Sequence, residues 1–340
     1  MSRYVKPPKL KTGDTIGIVA PSDAVERQYV QNGLKVLKSW GLKTKLGKHL
    51  FSQVGDFAAG TAEERREDII KFIKDREIKG IWAAAGGYAA TEVLPLFKKE
   101  IVEELKNNPK WFLGYSDVCC VLNALMSFKI VSVHGPNLGG LTFWDEKSLK
   151  WLKSLLFGED SVMELGSDFY WKPLIYGEAE GRLLVSNLDS FVATLGTKFD
   201  PLMHGNDPIL LGLEDWWVEK STLQRQVDTI LNHKKFSRIK AVILGRFEGI
   251  GEQTYPEWGK RVTVESLIES RVRVSRPGLP LAVFPNFGHV EEPGFLRRIF
   301  PVKKSIFVSL PNGINAKLTV ESSSANLLLL EPSTSDGKSD

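Results

Sequence analysis

Between residues 14 and 136 the chain alternates short apolar runs with amphipathic helical stretches, and few folds accommodate that pattern. Residues 15–20 (TIGIVA) form a continuous apolar run that stops at Pro21-Ser22-Asp23. Such a run suits a strand buried on both faces of a parallel sheet. Helical spacing follows over 25–40, with Val30, Leu34 and Leu37 in phase, and 42–46 reads as a second strand. Thr61 and Glu64 make a capping-box pattern at the head of a helix over 61–75. A strand at 79–85 runs into Gly86-Gly87. A helix over 91–105 follows, with Pro95 near its start, where proline is tolerated. Strands at 111–113 and 130–133 flank a buried helix over 118–126. The expectation is a doubly wound α/β domain of the flavodoxin or Rossmann kind, with its site at the carboxyl ends of the strands.

The second half has a different texture. Strands are expected at 177–185, 209–213, 239–244 and 281–284, and helices at 187–195, 223–236 and 262–269. Alternating runs over 300–330 suggest antiparallel hairpins. These features predict a β-rich α+β domain over 179–330, after an N-terminal domain over 1–156. Residues 157–178 read as an aromatic-rich extended connection, and the polar tail 331–340 as disordered.

Composition closes several routes. Hydrophobic residues make up 42% and charged residues 25%, as in ordinary globular proteins. A formal charge of +4 over 340 residues lacks the concentrated basic stripe of a nucleic-acid binder. The two cysteines, Cys119 and Cys120, are adjacent and read as small buried residues of a reducing compartment. No signal peptide is visible, and no run approaches the ~18 apolar residues of a membrane helix. A cytoplasmic protein with a small-molecule substrate and neither membrane nor nucleic-acid partner is expected. Neither H-E-x-x-H nor Cys-x-x-Cys occurs, and the Gly86-Gly87 turn lacks both phosphate-loop patterns, so no metal or other cofactor is expected.

The stretch Gly114-Tyr115-Ser116-Asp117 places a hydroxyl at a strand-to-helix turn. Such a turn can present a nucleophile and aim backbone N–H groups at the space beside it. Val118 stands where G-x-S-x-G would have its second glycine. Taken alone, a serine N-cap is the commoner reading. A nucleophilic serine needs a base, and the base needs an acceptor. Of five histidines, His49, His204 and His233 read as surface residues, whereas His134 and His289 end strands. Glu214-Asp215 closes the run ILLGL and supplies candidate acceptors. A small-molecule binding protein, with the serine as a helix cap, is the non-enzymatic alternative on the same scaffold.

Nine segments in order carry a stronger signal: LKTGDTIGIVAPSD at 10–23, GTAEERREDIIKFIKD at 60–75, AGGYAATEVLP at 85–95, GYSDV at 114–118, HGP at 134–136, SNLDSFVATLGTKFDP at 186–201, LLGLED at 210–215, GRF at 245–247 and FGH at 287–289. With these the chain resembles the LD-carboxypeptidase family of serine peptidases. The resemblance implies Ser116 as nucleophile, Glu214 as acid and His289 as base. It implies an oxyanion hole from the backbone of Asp117 and of a glycine in the Gly86-Gly87 turn, Gly86 being preferred. Members are commonly dimers. The length, the aromatic-rich connection and the GRF segment look more like the microcin C immunity branch, which cuts the amide between an aspartyl group and a modified nucleotide. By position, Trp171 is then the aromatic expected against the base, and Gly87 a substrate contact. The other branch removes terminal D-alanine from murein tetrapeptide, and there Arg246 would hold the substrate carboxylate. Ala85 and Ala89 depart from the family's usual Arg and Gly beside the GGY turn.

Overall fold

A computed structural model describes residues 3–159, 163–251, 257, 262–290 and 304–335. The alternating first part forms the expected parallel sheet. Its strands are β1 (Thr15–Val19), β2 (Lys43–Leu46), β3 (Ile78–Ala83), β4 (Trp111–Gly114) and β5 (Ser132–His134), in spatial order β2-β1-β3-β4-β5, all parallel. The order reverses between β1 and β3, so the loops leaving these two strands part to opposite sides and open a crevice. Helices α1 (Arg27–Ser39) and α2 (Ala62–Lys74) are two of the connections, and the Thr61–Glu64 capping box starts the second. Pro95 does not sit inside an α-helix. A 3₁₀ turn over Ala90–Leu96 precedes α3 (Lys99–Asn107), so the single helix expected over 91–105 is two pieces. Helix α4 (Cys119–Ser127) follows β4 and is buried along its whole length, both cysteines included.

Helix α5 (Glu146–Phe157) leads away from this sheet. The connection expected to be an extended loop contributes β6 (Met163–Leu165) and β7 (Lys172–Ile175) to a second, eight-stranded sheet. Both are edge strands, and each pairs antiparallel with a strand more than a hundred residues away. The sheet continues with β8 (Gly177–Asn187), β9 (Ile209–Trp216), β10 (Ile239–Glu248) and β11 (Leu281–Val283), which form a parallel centre. Helix α6 (Leu188–Thr194) lies between β8 and β9, with Asn187 as its side-chain cap. After β12 (Leu310–Asn312), the strands β13 (Asn315–Val320) and β14 (Ala325–Leu329) make the expected hairpin. Residues 331–335 of the expected disordered tail are tied down. Glu331 accepts from Lys6 at 2.7 Å and pairs with Arg182, and Ser335 bridges Pro8. Residues 336–340 lie outside the described residues. Among the described residues, no helix is long and apolar enough to cross a membrane.

Two features lock the sheets together. Strand β12 joins the first sheet, antiparallel to β5. Its Asn312 side chain is fully buried, donates to the Val185 carbonyl (3.1 Å) and accepts from the Val185 N–H (2.7 Å) of the second sheet. Asn123 of α4 donates in the same way to Ser186 (3.2 Å) and Thr194 (3.3 Å). Buried backbone groups stripped of a partner are expensive. Asn312→Ala is therefore expected to cost on the order of 3 kcal/mol, read as a lower denaturation midpoint in urea.

Candidate active site

The Ser116 turn is strained. Ser116 has φ 64°, in the left-handed region that side chains disfavour. Neighbouring groups hold it there. Asn137 accepts from the Tyr115 N–H (3.2 Å) and donates to its carbonyl (3.4 Å), and Ser190 of α6 donates to the Ser116 carbonyl (3.2 Å). The side chain does not cap a helix, so the N-cap reading fails. Its hydroxyl instead donates to His289 Nε2 at 3.0 Å. His289 Nδ1 in turn donates to Glu214 Oε2 at 2.6 Å, and the same oxygen accepts the His289 backbone N–H at 3.1 Å. Gly288, at φ 96°, makes this possible. A Cβ there would lie 2.6 Å from the Glu214 Cβ, so the loop after β11 could not close on the acid.

The carboxylates of β9 meet different fates. Glu214 is fully buried, and burial alone would raise its pKa. The positive ends of His289 and His134 override burial and hold it well below the usual carboxylate range. Asp215 is pushed up to about 7, first by burial and then by the charge on Glu214. Its Oδ1 accepts from Asn187 Nδ2 (2.9 Å) and from the Trp216 N–H (2.8 Å). Asp117 is also raised, mainly by burial, and is used structurally. Its Oδ2 accepts from Ser22 (2.5 Å) and from the Ala90 N–H (2.7 Å), and Ser22 accepts the Ala89 N–H (3.2 Å). The loops after β1 and β3 are thereby drawn onto the Ser116 turn. Gly86 packs so closely that a Cβ would stand 3.0 Å from Ser116 Oγ. Gly87 lines the same cleft, which has a cavity volume of about 230 Å³ and is open to solvent.

Trp171 is elsewhere. It is 7% exposed, stacks on Phe284 (4.4 Å between rings) and donates its indole N–H to the Leu165 carbonyl (2.9 Å). This corrects its assignment as a substrate aromatic: it is core. Aromatics that do line the cleft include Tyr29, Tyr88 and Tyr115 and, most directly beside His289, Trp216 and Trp217, a pair that the sequence reading did not point to. Trp217 is 69% exposed and Trp216 38%. Their rings stack at 5.5 Å, and Trp216 lies parallel to the His289 imidazole at 5.6 Å. Trp217 has φ 56°, so two of the three described non-glycine residues in the left-handed region border this cleft. The signal available in the sequence was a Trp-Trp pair directly after Glu214-Asp215. Arg246 is half-buried and donates to the carbonyls of Ile306 (2.7 Å) and Gly288 (3.4 Å), so it braces the loop that carries His289. Among the described residues no group of three or more His, Cys, Asp or Glu could hold a metal ion.

The Asp215 shift has a thermodynamic consequence. A carboxyl whose folded pKa is raised stabilises the fold below its unfolded pKa near 4 and loses that contribution as pH rises to about 7. Asn can accept the same two hydrogen bonds without ionising. Asp215→Asn is expected to melt with the wild type at pH 4 and on the order of a few °C above it at pH 8, by scanning calorimetry across that range.

The family model for the LD-carboxypeptidase N-terminal domain matches residues 16–135, and that for the LD-carboxypeptidase C-terminal domain matches 180–298. A Bacillus subtilis protein named "Probable murein peptide carboxypeptidase" is 31% identical over 68% of this chain and 70% of its own. The microcin C7 self-immunity protein MccF of Escherichia coli is 23% identical over 70% of this chain and 77% of its own. The solved structure of MccF in complex with glutamyl sulfamoyl guanosine superimposes with a TM-score of 0.79 at 18% identity, covering 97% of this chain and all of that one. Both family models match in order and together span most of the chain, so this chain belongs to the LD-carboxypeptidase family of serine peptidases.

Proposed function

We propose that the protein hydrolyses a C-terminal amide through Ser116, His289 and Glu214. The observation that carries this reading is the unbroken path from Ser116 Oγ through the imidazole to a buried carboxylate, at 3.0 and 2.6 Å. His289 Nε2 takes the Ser116 proton as Oγ attacks the substrate carbonyl. Glu214 holds the tautomer that leaves Nε2 free to do so and balances the imidazolium that forms. The tetrahedral oxyanion sits against the backbone N–H groups of Asp117 and Gly86, worth about 10²–10³ in rate for each donor in comparable sites. Collapse of the intermediate passes the proton from Nε2 to the departing amine and leaves an acyl ester on Ser116. Water, deprotonated by the same imidazole, then releases the acid.

The substrate we assign is an aminoacyl-nucleotide amide. Trp216 and Trp217 support it, because they offer a flat apolar surface beside His289, where the leaving group must depart. The Escherichia coli relative is a microcin C7 self-immunity protein, and the solved MccF complex holds an aminoacyl sulfamoyl nucleoside. Removal of a terminal residue from a murein peptide is the competing assignment. It is favoured by the higher identity to the Bacillus subtilis protein.

Ser116→Ala is expected to lower kcat at least about 10⁴-fold and to abolish labelling by a fluorophosphonate. Hydrolysis by that variant at the wild-type rate would refute the mechanism. Trp217→Ala separates the substrates. It should raise KM about tenfold for an aspartyl-nucleotide amide, the usual worth of one stacked base, and leave cell-wall tetrapeptide hydrolysis within about twofold. Efficient cleavage of the tetrapeptide together with none of the amide would replace the first assignment by the second.

A further inference from the structure

His134 ends β5 and is fully buried. Neither of its ring nitrogens has a hydrogen-bond partner among the described residues. Leaving buried polar atoms unpaired is costly, so native structures rarely do so without a reason. Directly opposite stands another orphan. Glu214 uses only Oε2 to hold His289. Its Oε1 is buried and unpartnered, and it lies 3.8 Å from His134 Nε2. Aromatic rings wall the imidazole. Phe307 lies nearly parallel to it (5.9 Å, 15°), and Phe287 and Tyr115 meet it edge to face (5.8 and 6.0 Å). A ring so confined offers its Nε2 to the free carboxylate oxygen.

We propose that His134 is a positioning residue that donates Nε2–H to Glu214 Oε1. The pair closes by less than 1 Å to reach hydrogen-bond distance. The carboxylate is then gripped on both oxygens and cannot rotate Oε2 away from His289. This arrangement adds a group from the first sheet to the base's support, so β5 steadies an acid carried by β9. The proposal rests on the Ser116–His289–Glu214 reading above and extends it by one residue.

The geometry predicts an asymmetry between two conservative variants. A glutamine amide reaches about as far as His Nε2, whereas an asparagine amide reaches only to the Nδ1 position. His134→Gln should therefore keep kcat within about threefold of the wild type. His134→Asn should lose 10- to 100-fold in kcat, the range typical of lost outer-shell support, with KM unchanged. Both variants keep a polar amide in the pocket, so a purely structural role would lower their melting temperatures without splitting their kcat values. Equal kcat in the two variants, at either the wild-type or a reduced level, would overturn the proposal. The wild type supplies a test independent of variant folding: ¹⁵N-histidine NMR should show His134 protonated at Nε2 with a hydrogen-bonded shift, and an unprotonated Nε2 would overturn it. Ser116→Ala is assayed alongside. Full activity there would remove the underlying reading, whereas loss of activity there with equal Asn and Gln variants removes only the role of His134.

Discussion

The hydrogen bond from Ser116 Oγ to His289 Nε2 joins the two sheets at the point where chemistry would occur. Ser116 follows β4 of the first sheet, and the loop carrying His289 follows β11 of the second. Hydrogen-bond strength falls steeply with distance and angle, so a relative shift of about an ångström between the sheets would break it. The packing between them is therefore part of the site. Helix α4 is buried along its length, with Asn123 reaching Ser186 and Thr194, while β12 crosses back to pair with β5. Interiors packed this densely transmit small displacements instead of absorbing them.

A second constraint is electrostatic. Adjacent residues of one strand, Glu214 and Asp215, sit in opposite regimes. Glu214 faces two imidazoles and stays ionised despite complete burial. Asp215 lies beside that charge with only neutral donors, and its carboxyl is pushed up. The same physics separates paired carboxylates in many hydrolytic sites, where environment and not residue type assigns the role. The strained backbone at Ser116 belongs to this design. The Asn137 side chain, the Ser190 hydroxyl and the Asp117 carboxylate hold the turn and the adjoining glycine loop in place.

Much of this was legible before any coordinates. Buried parallel strands write continuous apolar runs, and β1, β3, β4, β9 and β10 could be located from theirs. Short edge strands do not write such runs. Lys172-Pro173 in β7 reads as a loop because its pairing partner, β11, lies more than a hundred residues away. Residues 331–335 read as disordered from polarity, yet Glu331 is held by Lys6 and Arg182 across the fold. The Ser116 turn was visible as a turn, but not the left-handed φ that turns its hydroxyl away from capping. Glu214 and His289 could be listed as candidates. Their convergence on Ser116 is a property of two sheets in contact, and it entered through family resemblance. Trp171 and Trp217 show the limit most clearly. Both are tryptophans near Gly- or carboxylate-rich segments, and only the fold decides that one fills the core and the other faces the cleft.

The central claim is that Ser116 becomes covalently acylated during turnover. Rapid acid quench of enzyme with an aspartyl-nucleotide amide, followed by peptide mapping in a mass spectrometer, tests it directly. The account predicts a mass increase equal to the acyl group on the peptide containing Ser116, formed and lost at rates compatible with kcat. Turnover with that peptide unmodified at every quench time, and with solvent ¹⁸O entering the product without an enzyme-bound acyl, would contradict it.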